Sequence, residues 1–211
     1  HSIGSGLVIL VGDDLGPRGS QAEMDSRFYG PLSELPLLDP SRPNLLYASL
    51  LEAYTLSEWL RIPVMVRVTS RLLAAEEEDI PSRPLPSMGQ RFERDNWELT
   101  AKGRHQRHHD RIMAFAQEAS ESSTLNQVQI SGDIGIIASG YPASMAQGLG
   151  VSVLALAYSH PLPERLMRRF IDGHRLILVA EEPEPFLEGI LSQNTRVKGK
   201  LTGHLPRGAL E

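Results

Sequence analysis

The sequence predicts an α/β protein built from two mainly parallel sheets. Two apolar, β-branched runs, Leu7–Val11 and Ile62–Val68, flank a long helical pattern, which makes a βαβ unit. From Ile134 onward, short apolar runs alternate strictly with helical patterns. Between these blocks, Glu76–Gln90 is rich in acids and prolines and reads as an exposed loop or linker.

Leu7–Val11 reads as a buried strand. It runs into Gly12, Asp13 and Asp14, followed by a polar loop up to Tyr29. Pro36-Leu37-Leu38 is a short extended piece closed by Asp39-Pro40. A helix follows to Leu60, capped by Ser41 or Asn44, with Leu46, Leu50, Ala53 and Leu60 on its apolar face. Ile62–Val68 has the continuous apolar character of a strand covered on both faces. Trp97–Ala119 is basic and then helical, and Ser120–Thr124 breaks that helix. In the second block, strands are expected at Ile134–Ala138, Val151–Ala157 and Arg175–Ala180. Helices are expected after Ser139-Gly140, over Pro163–Ile171 and over Pro185–Leu191.

The chain has 211 residues, 41% hydrophobic and 22% charged, as in a soluble globular protein. A net charge of −5 gives no reason to expect nucleic acid or an anionic membrane as partner. With no cysteine, this chain supplies no disulfide, zinc thiolate or iron–sulfur ligand, and a reducing cytoplasm is the expected location. No apolar run is long enough to span a bilayer as a helix, and no signal-peptide pattern is present. The start at His1, a few residues before a core-type strand, suggests a cut.

Polar groups past the carboxyl end of a strand are where α/β proteins place ligand sites, so Gly12–Arg27 is the first candidate. Arg27 offers a planar clamp for a carboxylate or phosphate, and Gln21 offers a donor to a ligand oxygen. Asp13, Asp14, Glu23 and Asp25 would shape the loop; equally, Arg27 could pair with a neighbouring acid to fix it. His105 and His109 lie one turn apart, but they stand among Lys102, Arg104, Arg107 and Arg111, and a solvated basic face is the expectation rather than a metal site. Gly132-Asp133-Ile134-Gly135 resembles the opening of a diphosphate–metal motif but lacks the downstream Asn, so a turn is expected. Glu181-Glu182-Pro183-Glu184 precedes a helix, and its acids suit that helix's amino terminus. No nucleophile–base pair at readable spacing and no usual phosphate loop appears, so no catalytic or metal-binding residue is assigned.

The order of these pieces resembles the alpha subunit of the indolepyruvate:ferredoxin oxidoreductases, within the thiamine-diphosphate-dependent 2-oxoacid:ferredoxin oxidoreductases. The likeness runs through Gly12-Asp13-Asp14-Leu15-Gly16, Asp25-Ser26-Arg27, Leu37-Leu38-Asp39-Pro40-Ser41 and Arg67-Val68-Thr69-Ser70-Arg71. It resumes in Gly135-Ile136-Ile137-Ala138-Ser139-Gly140, Tyr158-Ser159-His160-Pro161-Leu162-Pro163 and Val179-Ala180-Glu181-Glu182-Pro183-Glu184-Pro185-Phe186.

The resemblance implies that residues 1–90 are part of a pyrimidine-binding domain, incomplete at its start. It further implies a linker with a basic helix over 91–127, a transketolase C-terminal-like domain over 128–200, and a tail over 201–211. It implies thiamine diphosphate with a divalent cation at a site shared in the complete enzyme, and iron–sulfur clusters elsewhere in the complex. The implied reaction is oxidative decarboxylation of an indolepyruvate- or pyruvate-type 2-oxoacid to an acyl-coenzyme A, with ferredoxin as electron acceptor. Other domains or subunits, in a homo-oligomer, are the implied partners. The cofactor-activating glutamate, the diphosphate motif and the iron–sulfur ligands are not in this sequence, so the chain alone is expected to be inactive. Arg27 matches the family arginine that reaches the substrate carboxylate. Gly19, Ala22 and Met24 replace a Ser, an Asn and a Gln expected there. The alternative is a non-catalytic assembly or dimerisation module derived from the same family.

Overall fold

The structure, a computed structural model, describes residues 3, 5–16, 23–76, 84 and 100–210; Gln21 and most of the acidic, proline-rich segment lie outside these. The elements run β1 (Val8–Asp13), a 3-10 turn (Ser26–Phe28), α1 (Tyr29–Ser33), β2 (Leu37–Leu38), α2 (Pro43–Leu60), β3 (Val64–Thr69) and α3 (Ser70–Ala74). Then come α4 (Ala101–Arg107), a π-helical stretch (His108–Met113) and α5 (Ala114–Ser122), followed by β4 (Gln127–Gln129), β5 (Ile134–Ser139), α6 (Tyr141–Ala146), β6 (Ser152–Leu156) and β7 (Tyr158–His160). The chain ends with α7 (Glu164–Asp172), β8 (Leu176–Ala180), α8 (Phe186–Leu191) and β9 (Val197–Lys198).

Two mainly parallel sheets form, as expected. The first has the order β1-β3-β2-β7 and the second β4-β6-β5-β8-β9. In the first, β1, β3 and β2 are parallel and β7 is antiparallel. β7 belongs to the carboxyl-terminal half of the chain. The sequence shows one apolar run up to Ala157 and then a proline-rich turn. In the structure the chain leaves the second sheet there and pairs with β2, tied by the Asp39 amide donating to the Ala157 carbonyl at 2.8 Å. The expected strand Val151–Ala157 is β6 of the second sheet, and β7 is a further strand that the sequence did not show.

α2 opens on Pro43 and closes on Arg61 in the left-handed conformation. Its buried face is Ala53, Leu56 and Leu60, with Leu46 and Leu50 partly buried, and it packs on Val64, Val66, Leu38 and Tyr158. In the second sheet, Ile137, Leu154 and Ile177 pack against Phe170, Ile171 and Leu187. On its other face Ala138 and Ala155, with Ile136 and Val153, pack with Ala143 and Ala146 of α6.

The first strand departs from expectation. Leu7–Val11 was read as buried, yet Ile9 and Leu10 are exposed, Leu10 by 61%, and only Asp13 of β1 is buried. β1 is an edge strand, paired with β3 alone, and among the described residues its outer side has no neighbour. An apolar run looks the same whether its neighbours lie within the chain or outside it.

The two sheets meet at their strand ends. Asp13 closes β1, Thr69 closes β3 and Asp39 follows β2; opposite them, Ser139 closes β5 and Glu181 and Glu182 follow β8. Gly140 marks the closeness, since a Cβ there would lie 2.9 Å from an Asp39 carboxylate oxygen.

α1 sits on the first sheet through Gly30, where a Cβ would meet the His160 Cβ at 2.5 Å. Gly30→Ala should therefore lower stability by about 1–3 kcal/mol through overpacking. At Gly12 an added Cβ meets nothing within 4 Å, so Gly12→Ala should change the urea midpoint little. Equal effects of the two substitutions would show that α1 is not seated as described.

Candidate functional site

The strand ends enclose a buried network of charges. Arg67 stands in the middle of the apolar strand β3 and is 2% exposed. Its Nε donates to Asp13 at 2.6 Å, Nη1 reaches both Asp39 oxygens at 3.2 and 3.3 Å, and Nη2 donates to the Glu182 carbonyl at 3.1 Å. Arg67 therefore ties three segments together, one of them from the other sheet. Asp13 also accepts the Ser26 amide at 3.0 Å, which returns the polar loop to the end of β1.

Arg27 forms a second fork. Its Nε and Nη2 grip Asp25 at 2.8 and 2.5 Å, Nη1 donates to Glu181 at 2.7 Å, and Nη2 also donates to the Glu184 carbonyl at 2.7 Å. The side chain is fully buried. Its guanidinium lies 5.3 Å from the Phe186 ring centre, and Phe28 meets the same ring edge-on at 5.1 Å. Burial alone would discourage the charge. The Asp25 hydrogen bonds and the Glu181 and Asp25 carboxylates outweigh it and hold the pKa above the usual arginine value.

Glu181 faces both ways. It accepts Arg27, and it accepts the Leu187 and Glu188 amides of α8 at 2.7 and 2.8 Å. The helix-capping role expected for the acids after β8 is thus present, and the same carboxylate also bridges to the first sheet. Glu182 accepts Arg71 at 3.0 Å and the Leu210 amide. Arg71 in turn donates to the Leu210 carbonyl, so the end of the tail expected over 201–211 closes the network. Burial pushes the Glu182 carboxyl above the ordinary glutamate range, more than Leu210, Arg71, Lys200 and Arg67 pull it down.

The loop-shaping candidates separate. Asp13 and Asp25 are in the network. Glu23 is exposed and accepts the Gly16 amide at 2.8 Å, while Asp14 is exposed away from it. Gln21 lies outside the described residues. The partners of Arg27 across the seam were missed in the sequence, although Arg67 inside an otherwise apolar strand was a readable signal, because a buried arginine requires a buried acid.

The basic helix gains a neighbour that sequence spacing could not show. Glu34, at the end of α1, places its carboxylate 3.4 Å from His108 Nε2 and 3.5 Å from His109 Nε2. Among the described residues no cluster of His, Asp and Glu has the arrangement of a metal site. Asp133, in the stretch resembling a diphosphate motif, is exposed and paired with Arg175 at 2.9 Å. The described residues therefore do not fit a diphosphate with its cation.

No family model matches the chain. Related sequences do. The indolepyruvate oxidoreductase subunit IorA of Methanothermobacter thermautotrophicus is 33% identical over 224 residues, covering 96% of this chain and 36% of that protein. The chain belongs to the family of that subunit. The IorA proteins of Methanothermobacter marburgensis and Archaeoglobus fulgidus are 35% and 32% identical over 96% and 95% of the chain. The chain thus spans about a third of the length of these IorA relatives, 36% of each Methanothermobacter protein. Among solved structures, a 2-oxoglutarate:ferredoxin oxidoreductase from Magnetococcus marinus superposes with a TM-score of 0.61 at 12% identity, over 92% of this chain and 44% of that one. A split-gene transketolase, an inactive β4 tetramer, superposes with a TM-score of 0.53 at 16% identity, over 91% of this chain and 56% of that one. These two likenesses show a shared α/β fold.

Two predictions concern the network. Arg67→Ala leaves Asp13 and Asp39 buried without their cation and should cost about 3–5 kcal/mol in urea unfolding. Arg67→Lys keeps the charge but loses the fork and should fall between the two. For Glu182, a raised folded-state pKa means that the native state holds a proton which the unfolded chain has released. Its contribution is full below the unfolded value of about 4.3 and is lost as pH rises through the folded value. The urea midpoint of Glu182→Gln should therefore gain on the parent as pH rises through that window. A pH-independent difference would rule out the raised pKa.

Proposed function

We propose that the chain contributes part of a thiamine-diphosphate-dependent 2-oxoacid:ferredoxin oxidoreductase of the indolepyruvate type, and that it is inactive alone. The observation that carries this reading is its relation to IorA subunits over almost its whole length. In this reading the first sheet, with the loop after β1, forms one wall of a substrate site. The second sheet is the transketolase C-terminal-like domain packed beside it, and the buried network joins the two. Thiamine diphosphate, when bound in the complete enzyme, supplies the carbanion chemistry. Its diphosphate and cation would be held by residues beyond those described here, and iron–sulfur clusters and coenzyme A would be handled by other parts of the complex. A cytoplasmic homo-oligomer, with ferredoxin as electron partner, belongs to the same proposal.

Arg27 has a specific place in this reading. In the family it would hold the 2-oxoacid carboxylate, yet four guanidinium hydrogen bonds already join it to Asp25, Glu181 and Glu184. The side chain is also fully buried, so it reaches a substrate only if the packing around it opens or a partner is exchanged. As built, it anchors the loop to the second sheet.

A second reading, an assembly module that binds no cofactor, draws on the same engagement of Arg27. Thiamine diphosphate titration separates the two readings. Binding by the chain combined with the remaining IorA sequence and its partner subunit, but not by the chain alone, supports the enzyme reading. No binding in either case supports the module. In the complete enzyme, Arg27→Ala should lower the unfolding temperature, with a loss of about 3–5 kcal/mol from the uncompensated acids. A change in the 2-oxoacid KM at unchanged stability would instead assign Arg27 to the substrate.

A further inference from the structure

We infer that the corner between β8 and α8, residues Glu181 to Phe186, sets the position of the Asp25–Phe28 segment and thereby the affinity of the site for its 2-oxoacid. Glu181 and Phe186 are the positioning residues. The inference rests on the function proposed above.

The first sheet holds this segment through Asp13 and, just beyond Phe28, through α1 seated at Gly30. The Ser26 amide donates to Asp13, and Asp25 caps its own turn through the Arg27 amide at 3.1 Å. The second sheet grips the same segment. Its Glu181 carboxylate and Glu184 carbonyl take two guanidinium nitrogens of Arg27, each at 2.7 Å. Its Phe186, 5% exposed, offers one ring to both Arg27 and Phe28. Phe28 is 48% exposed, so its packing against Phe186 is a main restraint on its rotamer.

The corner is itself braced. Glu181 holds the first turn of α8 through two amides. Glu188, 2% exposed, accepts the Leu201 and Thr202 amides at 2.6 and 3.2 Å and the Thr202 hydroxyl at 3.0 Å. A braced corner gripping this segment from the second sheet sets the pose of its Arg27 and Phe28 side chains. Any shift of α8 against its sheet is thus transmitted to Arg27 and Phe28, at the end of the loop that follows β1.

Phe186→Leu tests this in the complete oxidoreductase. It keeps apolar volume but removes the ring shared by Arg27 and Phe28. An aromatic pair is worth about 0.5–1.5 kcal/mol, so the 2-oxoacid KM should rise roughly 2- to 10-fold, with kcat little changed. Phe186→Tyr, which keeps the ring, should restore the KM. Hydrogen exchange on the same proteins should quicken at residues 26–28 and stay constant in β5 and β6. Glu181→Gln, with a weakened grip on Arg27, should shift exchange and KM in the same direction. An unchanged KM, unchanged exchange at 26–28, or exchange rising equally in β5 and β6 overturns the inference. An unaltered complex that does not turn over any 2-oxoacid overturns the proposed function and this inference with it, and the unaltered control distinguishes the two failures.

Discussion

A guanidinium taken out of water without a counter-charge costs several kcal/mol, so Arg27 and Arg67 dictate what surrounds them. Each needs carboxylates, and the first sheet meets only part of the demand, through Asp13, Asp25 and Asp39. The rest comes from the second sheet, as the Glu181 carboxylate and the carbonyls of Glu182 and Glu184. The two sheets are thus held at one relative position, because other placements leave a buried charge unpaired. Buried ion pairs often add little net stability, since desolvation offsets their attraction, while removing one partner is costly.

This arrangement uses the strand ends in an unusual way. Open parallel sheets generally keep the crevice beyond their carboxyl ends for a ligand. Here the ends of β1, β2 and β3 face those of β5 and β8, and charged side chains of the protein fill much of the space between. The Asp25–Phe28 segment lies at this seam. Arg27 and Phe28 tie it to the second sheet, and the Ser26 amide ties it to Asp13 of the first. The exposed apolar residues Ile9 and Leu10 leave the β1 edge of the first sheet uncovered among the described residues.

Most elements could be read in advance. The long helix ending at Leu60 and the strands at Ile134, Val151 and Arg175 stood close to where the structure has them, because period and punctuation are local properties. α1, α3, β4 and β9 were missed; they are short, and tertiary contacts rather than propensity sustain them. β7 was missed because no local signal tells a strand to change sheets. Glu34 beside His108 and His109 lay out of view for the same reason, since the three meet only when α1 docks near the basic helix.

The sequence by itself determined the fold class, the order of its longer elements and, through its motifs, the family. It also marked Arg27 as a residue with a task, because an arginine among acids at a strand end demands a partner. One partner, Asp25, lay within local reach, as pairing with a neighbouring acid anticipated; only the tertiary structure supplied the second. Glu181 stands 154 positions away, and nothing local couples the two. The choice follows from the low dielectric of the seam, where a charge is bound by whichever carboxylate the packing of two sheets brings within hydrogen-bond distance.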